Sequence, residues 1–110
     1  MGLRDNLELM LQRGQDSQLL RFSLGGACLD DGDLLAAITH LSSAVEQNPD
    51  YSAAWRRLGD ACARAGSTER AANVYERGIA VATAGGDLQA AREMTVFLRR
   101  IRRTRGDTAS

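Results

Sequence analysis

Apolar side chains recur every three or four residues in six stretches of the sequence, a spacing that keeps them on one face of an α-helix. No stretch shows the alternation of apolar and polar residues that is typical of strands. The six apolar faces consist of Leu3, Leu7, Met10 and Leu11; Leu20, Leu24, Ala27 and Cys28; Leu34, Ala37, Ile38, Leu41, Ala44 and Val45; Trp55, Leu58, Gly59 and Cys62; Ala71, Tyr75, Gly78, Ile79 and Ala82; and Leu88, Ala91, Met94, Leu98 and Ile101. The pattern predicts about six helices that bury these faces against one another.

Residues that end and begin helices lie between the apolar stretches. Glycines suited to a left-handed helix end follow four of them, and Pro49 marks a further end. These glycines are Gly14, Gly32, Gly66 and Gly86, and the side chains placed to cap a following helix are Asp16 or Ser17, Asp33, Asp50, Ser67 and Asp87. Because the connections are only a few residues long, neighbouring helices run antiparallel. The sequence therefore predicts an all-α fold built from antiparallel helical hairpins.

The middle of the chain repeats itself after 34 residues. Leu24-Gly25 returns as Leu58-Gly59, and the small, apolar and turn positions of the two copies stay in phase. The other matched pairs are Cys28 with Cys62, Gly32 with Gly66, Ala37 with Ala71, Leu41 with Tyr75, and Val45 with Ile79. A fixed period of this length indicates that one two-helix unit occurs twice.

A 34-residue period made of two helices resembles the tetratricopeptide repeat (TPR). The first copy, 18–51, carries Leu24, Gly25, Ala37, Leu41, Ala44 and Pro49 of the family signature, and the second, 52–85, carries Trp55, Leu58, Gly59, Ala71 and Tyr75. The chain departs from that signature at five positions, which are Arg21, Cys28, Cys62, Gly78 and Thr83. An unrelated helical bundle with coinciding small residues is the alternative reading.

The resemblance implies one domain, 1–110, in which the hairpins stack as a short right-handed TPR-type superhelix. Two repeats are fewer than such stacks usually need, so flanking helices are expected to cover the ends. These are an N-terminal helix at 3–13 and a C-terminal capping helix at 88–103, followed by a disordered tail at 104–110. At the crossing inside each hairpin, Gly25 and Gly59 are expected to face the small surfaces of Ala37 and Ala71, so that the helix backbones come close together.

Composition supports a single small globular domain. The chain has 110 residues, of which 44% are hydrophobic and 25% charged, and it has no net charge. No run of apolar residues is long enough to span a membrane. The chain starts without the layout of a secretory signal and holds only two cysteines, so we expect a reduced, cytoplasmic setting.

No group of residues in the sequence points to catalysis. His40 is the only histidine and has no nucleophile nearby in sequence, and the two cysteines are expected to be small core residues. The acidic cluster of Asp30, Asp31 and Asp33 lacks the closing glutamate of a calcium loop and is expected to cap helices. We expect a protein that is not an enzyme and uses no metal or cofactor.

The family resemblance implies a concave groove lined by the first helices of the two repeats, where TPR proteins bind peptides or helices. The positions that map to it are Leu19, Phe22, Gly26 and Leu29 in the first repeat, and Arg56, Asp60, Ala63 and Arg64 in the second. An apolar half beside an arginine-bearing half suits a segment with a hydrophobic anchor and an acidic or carboxylate end. The chaperone-tail-binding TPR subfamily clamps a carboxylate with Lys and Asn, but Phe22, Gly26 and Arg57 stand at three of those positions here.

Two other functions remain open at the level of sequence. The apolar residues Leu3, Leu7 and Met10 at one end would allow a homodimer. Residues 88–110 hold six arginines against two acidic residues, so the segment 99–105 could contact nucleic-acid phosphates, although no aromatic residues are interleaved with it.

Overall fold

The computed structural model describes residues 2–105, with side chains through Thr104. In order, the helices are α1 (Leu3–Gln12), α2 (Gln18–Asp30), α3 (Leu34–Gln47), α4 (Ser52–Arg64), α5 (Thr68–Ala84) and α6 (Leu88–Arg105). No strand occurs within these residues, and each helix packs against the next along the chain. The all-α prediction of stacked helical hairpins is confirmed.

Most of the predicted helix boundaries are formed by the residues that the sequence indicated. All four glycines after the apolar stretches adopt positive φ, between 78° and 85°. The Ser17 hydroxyl accepts a hydrogen bond from the Leu20 amide at 3.1 Å, and the carboxylates of Asp33 and Asp87 cap α3 and α6 in the same way. Each of these bonds satisfies an amide that has no partner inside its helix.

Two of the expected caps are wrong. Helix α4 begins after Tyr51, and Asp50 instead donates its own backbone amide to the side chain of Asn48 at 3.2 Å, inside the turn that Pro49 forms. Ser67 does precede α5, but its hydroxyl makes no capping bond. The proline turn moves the start of α4 by one residue, which takes Asp50 out of the capping position.

In each hairpin a glycine of the first helix lies against a large side chain of the second. A Cβ on Gly25 would lie 2.5 Å from Cγ of Leu41, and one on Gly59 would lie 2.6 Å from Cδ1 of Tyr75. Carbon atoms of real side chains do not come so close, so only glycine fits at either place. The same contact recurs 34 residues later, which shows that the two hairpins are built alike.

The expectation that Ala37 and Ala71 face these glycines is wrong. The atoms nearest to the two glycines belong to Leu41 and Tyr75, one turn further along the second helix. Helical side chains lean toward the N-terminus of their own helix, so these larger residues reach back over the glycine. Both alanines are fully buried in the core nonetheless.

Trp55 lies in the core where the second hairpin meets α6. Its side chain is 8% exposed, and its indole N–H donates to the Pro49 carbonyl at 2.7 Å. A Cβ on Gly78 would lie 2.9 Å from the Cβ of Trp55 and 2.5 Å from Sδ of Met94, so this glycine lets α4, α5 and α6 meet. The departure from the family signature at Gly78 therefore has a packing reason.

Both cysteines are fully buried and free, as expected of small core residues. Burial raises the pKa of the Cys28 thiol, and it raises that of Cys62 in the same way. A raised pKa keeps both groups in the thiol form, which is the less reactive one.

The N-terminal helix is attached to the first hairpin by charge as well as by apolar contact. Arg4 pairs with Glu8 of its own helix and with Asp33 at the start of α3, both at 2.7 Å. Leu7 and Leu11 pack against the core, while the other two residues of the predicted face, Leu3 and Met10, are exposed. Part of the predicted acidic cluster thus caps a helix and holds α1 in place.

Helix α6 covers the second hairpin and is longer than predicted. Ala91, Met94, Leu98 and Ile101 are buried, but Leu88, which was predicted to share this face, is exposed. The helix continues through Arg105 rather than ending at 103, so residues 104 and 105 are helical and not part of a disordered tail. Residues 106–110, the rest of the expected tail, lie outside the described residues.

Candidate peptide-binding groove

The first helices of the two hairpins, α2 and α4, form a surface with two adjacent depressions. One is lined by Phe22, Ala53, Arg56, Arg57 and Asp60. The other is lined by Leu29, Asp30, Arg57, Asp60, Ala63, Arg64 and Tyr75. Arg57 and Asp60 belong to both, so the two depressions form one continuous groove, which we call the α2–α4 groove.

The apolar side of the α2–α4 groove comes mainly from Phe22. Its ring is half-buried and meets the ring of Tyr51 edge to face, with centroids 4.9 Å apart. Open space lies beside Gly26, because a Cβ there would meet no atom within 4 Å. Two other predicted groove residues offer no half-buried apolar surface of this kind. Leu19 is 62% exposed at the start of α2, and Leu29 lines the second depression but is only 4% exposed.

Arg56, a predicted cation of the groove, is engaged by α6. Its guanidinium pairs with Glu93 at 2.6 Å and lies 5.5 Å from the centre of the Phe97 ring. The charge of Arg56 is therefore compensated inside the protein. This contact could not be read from the 34-residue repeat, because it depends on the position of α6.

Asp60 and Tyr75 form a polar pair at the floor of the groove. The Tyr75 hydroxyl donates to Oδ1 of Asp60 at 2.5 Å. Burial and this bond to a carboxylate raise the pKa of Tyr75 far above its ordinary value. Because one oxygen of Asp60 is engaged in this way, the carboxylate is held in a fixed orientation.

Arginines on the exposed side of α4 supply the positive charge of the groove. Arg64 donates to the Leu29 carbonyl across the two repeats, with a distance of 3.4 Å, and Ala63 packs partly on the core beside it. Arg57 is exposed, lines both depressions and makes no ion pair or hydrogen bond to any side chain among the described residues. Arg57 is thus the arginine of the groove whose side chain has no hydrogen-bonding partner within the described residues.

Arg57 was not among the predicted groove residues. The sequence did contain a signal for it, because Ala53, Arg57, Asp60 and Arg64 follow one another at intervals of four, three and four residues, which places them on one face of α4. The mapping from the family resemblance selected its neighbour Arg56 instead.

His40 is held by the neighbouring helix rather than by a catalytic partner. An arginine can only donate, so Nδ1 of His40 accepts from Nη1 of Arg21 at 3.1 Å, and the imidazole proton is on Nε2. Burial, and then the charge of Arg21, lowers the pKa of His40 below 6.5. Arg21 is itself fixed by Asp16 at 2.9 Å, so the histidine completes a structural network.

NMR titration of the His40 ring protons is expected to give a pKa below 6.5. Because the folded pKa is lower than the unfolded one, the unfolded chain binds the proton first as the pH falls. The contribution of His40 to stability is therefore lost as the pH falls below about 6.5. Arg21→Gln should raise the measured pKa, and a wild-type pKa at or above 6.5 would contradict the arrangement.

Two further features of the described chain bear on function. No helix in residues 2–105 has the length and apolar character needed to cross a membrane. Nor do three or more histidine, cysteine or acidic side chains gather there into a group that could hold a metal ion.

Stacked, equivalent hairpins with a groove along their first helices define the class of helical-repeat proteins. Comparison with known families identifies the kind of repeat: the tetratricopeptide repeat model matches residues 22–87. The chain belongs to the tetratricopeptide repeat family. Repeats of this family generally mediate protein–protein interaction and are typically not catalytic.

Known relatives share both the sequence and the fold. The TPR repeat-containing protein PA0015 of Pseudomonas aeruginosa is 50% identical over 101 residues, which cover 92% of this chain and 96% of that protein. The solution structure of protein BPP2914 from Bordetella parapertussis matches 99% of this chain and 95% of its own, with a TM-score of 0.84 and 37% identity. A tetratricopeptide repeat domain protein from Salinibacter ruber has the same fold, with a TM-score of 0.72 over 78% of this chain and 87% of its own, at 24% identity.

Proposed function

We propose that this protein is a non-catalytic adaptor that binds a short segment of another protein in the α2–α4 groove. The observation that carries the proposal is the position of Arg57, an exposed cation shared by two depressions, with Phe22 in one of them. The proposal includes a cytoplasmic location, which is favoured by a cysteine content too low for a disulfide framework.

The chemistry of the groove favours a segment with an apolar anchor and a carboxylate a few residues away. The anchor would lie against the Phe22 ring and Ala53, where half-buried apolar surface is available. The carboxylate would pair with Arg57, whose planar guanidinium can donate two parallel hydrogen bonds. Asp60 disfavours a carboxylate directly above it, and so orients the acidic end toward Arg57 and Arg64.

The two other functions that the sequence left open have less support. Arg102 of the arginine-rich segment pairs with Glu76 at 2.5 Å, and Arg100 lies 6.0 Å from the centre of the Phe97 ring, so both are partly used within the fold. For a homodimer through α1, only Leu3 and Met10 of the predicted apolar face are exposed, since Leu7 packs against the core.

A pair of charge-reversal variants tests the proposed site. The probes are ten-residue peptides with a central leucine or phenylalanine followed by either two glutamates or two lysines, titrated into ¹⁵N-labelled protein. The acidic peptides are expected to bind and to shift the amides around Phe22 and Arg57, and Arg57→Glu should weaken this binding by about tenfold, the loss of one charge-assisted contact. Arg70→Glu makes the same change of charge on α5, where Arg70 contacts Ser42, and should leave binding unchanged.

Equal binding of acidic and basic peptides, or equal losses in the two variants, would contradict the proposed site. Shifts confined to residues away from α2 and α4 would also contradict it.

A further inference from the structure

A second groove lies between α5 and α6 at the C-terminal end of the stack. Its walls are Ile79 and Thr83 of α5 and Leu88, Arg92, Val96 and Arg99 of α6. We call it the α5–α6 groove. Two of its apolar side chains are unusually open to solvent, with Leu88 53% and Val96 42% exposed.

Helix α6 stands in the place of the first helix of a third repeat. The buried residues of α6 lie 36 residues after the buried residues of α4. Trp55, Leu58 and Cys62 thus correspond to Ala91, Met94 and Leu98, and all six residues are buried. Helix α6 also packs on α5 and on α4, just as α4 packs on α3 and on α2. The interval differs from 34 by two residues, because α5 is three residues longer than α3 and the turn that follows it is one residue shorter.

The α6 wall of the α5–α6 groove therefore includes positions on which the second helix of a third repeat would pack. Thr95, on the wall of the groove, lies 36 residues after Gly59 and so occupies the equivalent position in α6. In the second repeat, Tyr75 of α5 packs against Gly59. Thr95 donates its hydroxyl to the Ala91 carbonyl at 2.7 Å, so its hydrogen-bonding need is met within α6. No helix follows α6 within the described residues to cover this face.

We infer that the α5–α6 groove binds an amphipathic helix of another protein that carries an acidic residue at its N-terminus. The exposed side chains of Leu88 and Val96, beside Ile79, provide an apolar surface on which the apolar face of such a helix can pack. The acidic part follows from charge, because Arg92 and Arg99 rim the groove and make no ion pair with any described residue. This inference does not depend on the function proposed for the α2–α4 groove.

The direction of the bound helix follows from the hairpins. Helix α5 runs antiparallel to α4 because a turn of three residues, 65–67, joins them. A helix in the equivalent seat on α6 would likewise run antiparallel to α6 and begin beside Arg99. An acidic residue at its N-terminus would pair with Arg99 and also complement the dipole of the bound helix.

A second copy of this chain is a poorer occupant than an acidic helix. A symmetric pair formed through this face would bring Arg92 and Arg99 of both copies together. Like charges brought together at an interface lower affinity, whereas an acidic partner gains from the same two arginines.

The experiment uses a synthetic peptide with the sequence of residues 33–47 as the probe. In this chain these residues include α3, which packs in the equivalent seat on α2, and they begin with Asp33 and carry no basic residue other than His40. In the peptide, Leu35→Glu and Thr39→Lys, at two positions that are exposed in α3, supply the carboxylate and the amine that condense to a lactam bridge, which keeps the isolated peptide helical. Titration into the ¹⁵N-labelled full chain is expected to shift the amides of Leu88, Val96 and Ile79.

Two variants with matched controls give the expected size of the effect. Leu88→Ser and Arg99→Glu should each weaken binding by about five- to tenfold, through lost apolar burial and lost charge pairing respectively. Leu35→Ser removes an even more exposed leucine, on α3, and Arg70→Glu reverses a charge on α5, and both variants should bind the peptide as the wild type does.

Each remaining outcome would overturn the inference. These outcomes are no binding to the wild type, shifts centred on Phe22 and Arg57 instead, and equal losses in the variants and their controls. Sedimentation that shows a dimer broken by Leu88→Ser would assign the groove to a second copy instead of a partner helix.

Discussion

Replacing Gly59 by alanine is expected to lower the free energy of unfolding by about 2 to 3 kcal/mol, the upper part of the range for overpacked cores. The added Cβ would lie 2.6 Å from Cδ1 and 2.8 Å from Cζ of Tyr75. The ring cannot turn aside easily, because its hydroxyl is bonded to Asp60 at 2.5 Å and its side chain is buried. The two helices of the hairpin would therefore have to move apart.

The chain contains a matched control for this change. Gly26, like Gly59, lies inside the first helix of a repeat, but a Cβ there would meet no atom within 4 Å. Gly26→Ala is thus expected to raise the free energy of unfolding by about 0.5 to 1 kcal/mol, since alanine favours the helix. Urea denaturation of the two variants measures both effects, and a Gly59→Ala protein as stable as the wild type would show that the helices do not cross at this residue.

Replacing Trp55 by alanine is expected to cost about 3 to 5 kcal/mol, the usual range for a large aromatic side chain removed from a core. Trp55 is 8% exposed, touches Gly78 and carries the guanidinium of Arg77 5.2 Å from the centre of its ring. Its loss would leave a cavity at the point where α4, α5 and the turn at Pro49 meet. A loss of this size removes a large part of the stability of a small domain, because total stabilities are about 5 to 15 kcal/mol.

Trp55→Phe separates packing from hydrogen bonding at this site. It keeps an aromatic ring but removes the indole N–H that donates to the Pro49 carbonyl at 2.7 Å. We expect a loss of about 1 to 3 kcal/mol, smaller than that of Trp55→Ala. Small losses in both variants by urea denaturation would place Trp55 outside the core, and equal large losses would contradict a packing contribution beyond the hydrogen bond.

The helices and the repeat could be predicted from the sequence because they depend on local signals. Apolar spacing located six helices, and the glycines at 14, 32, 66 and 86 marked four turns that need positive φ. The match of residues 24–25 with 58–59 gave the register of the two hairpins. These signals involve residues that are close in sequence or related by the repeat, so they can be read from the sequence without knowledge of tertiary contacts.

The candidate groove was only partly predictable, because its chemistry depends on a helix outside the repeat. The 34-residue period says nothing about α6, whose interval from α4 is 36 residues. The ion pair between Arg56 and Glu93 could therefore not be predicted from the sequence. For the same reason, the sequence did not show that Arg57, rather than Arg56, is the unpaired arginine of the groove. Leu29 lines the second depression, but its near-complete burial could not be predicted for a similar reason, because it depends on the approach of the second hairpin.

The two proposed binding surfaces differ in position and in charge. The α2–α4 groove lies along the first helices of the repeats and has Arg57 and Arg64 on its exposed side, and the α5–α6 groove lies at the end of the stack between Arg92 and Arg99. Both combine apolar surface with positive charge, which is why both proposals name acidic, apolar segments as ligands. If both proposals hold, the protein can bind an extended segment and a helix at the same time.

The central claim is that two equivalent hairpins stack in register, each closed by a glycine against a large side chain. Nuclear Overhauser effects in solution test it most directly. The account predicts strong cross-peaks from the Gly59 Hα protons to the Tyr75 ring and from the Gly25 Hα protons to the Leu41 methyl groups. The absence of either set of cross-peaks from a well-resolved spectrum of the folded protein would contradict it.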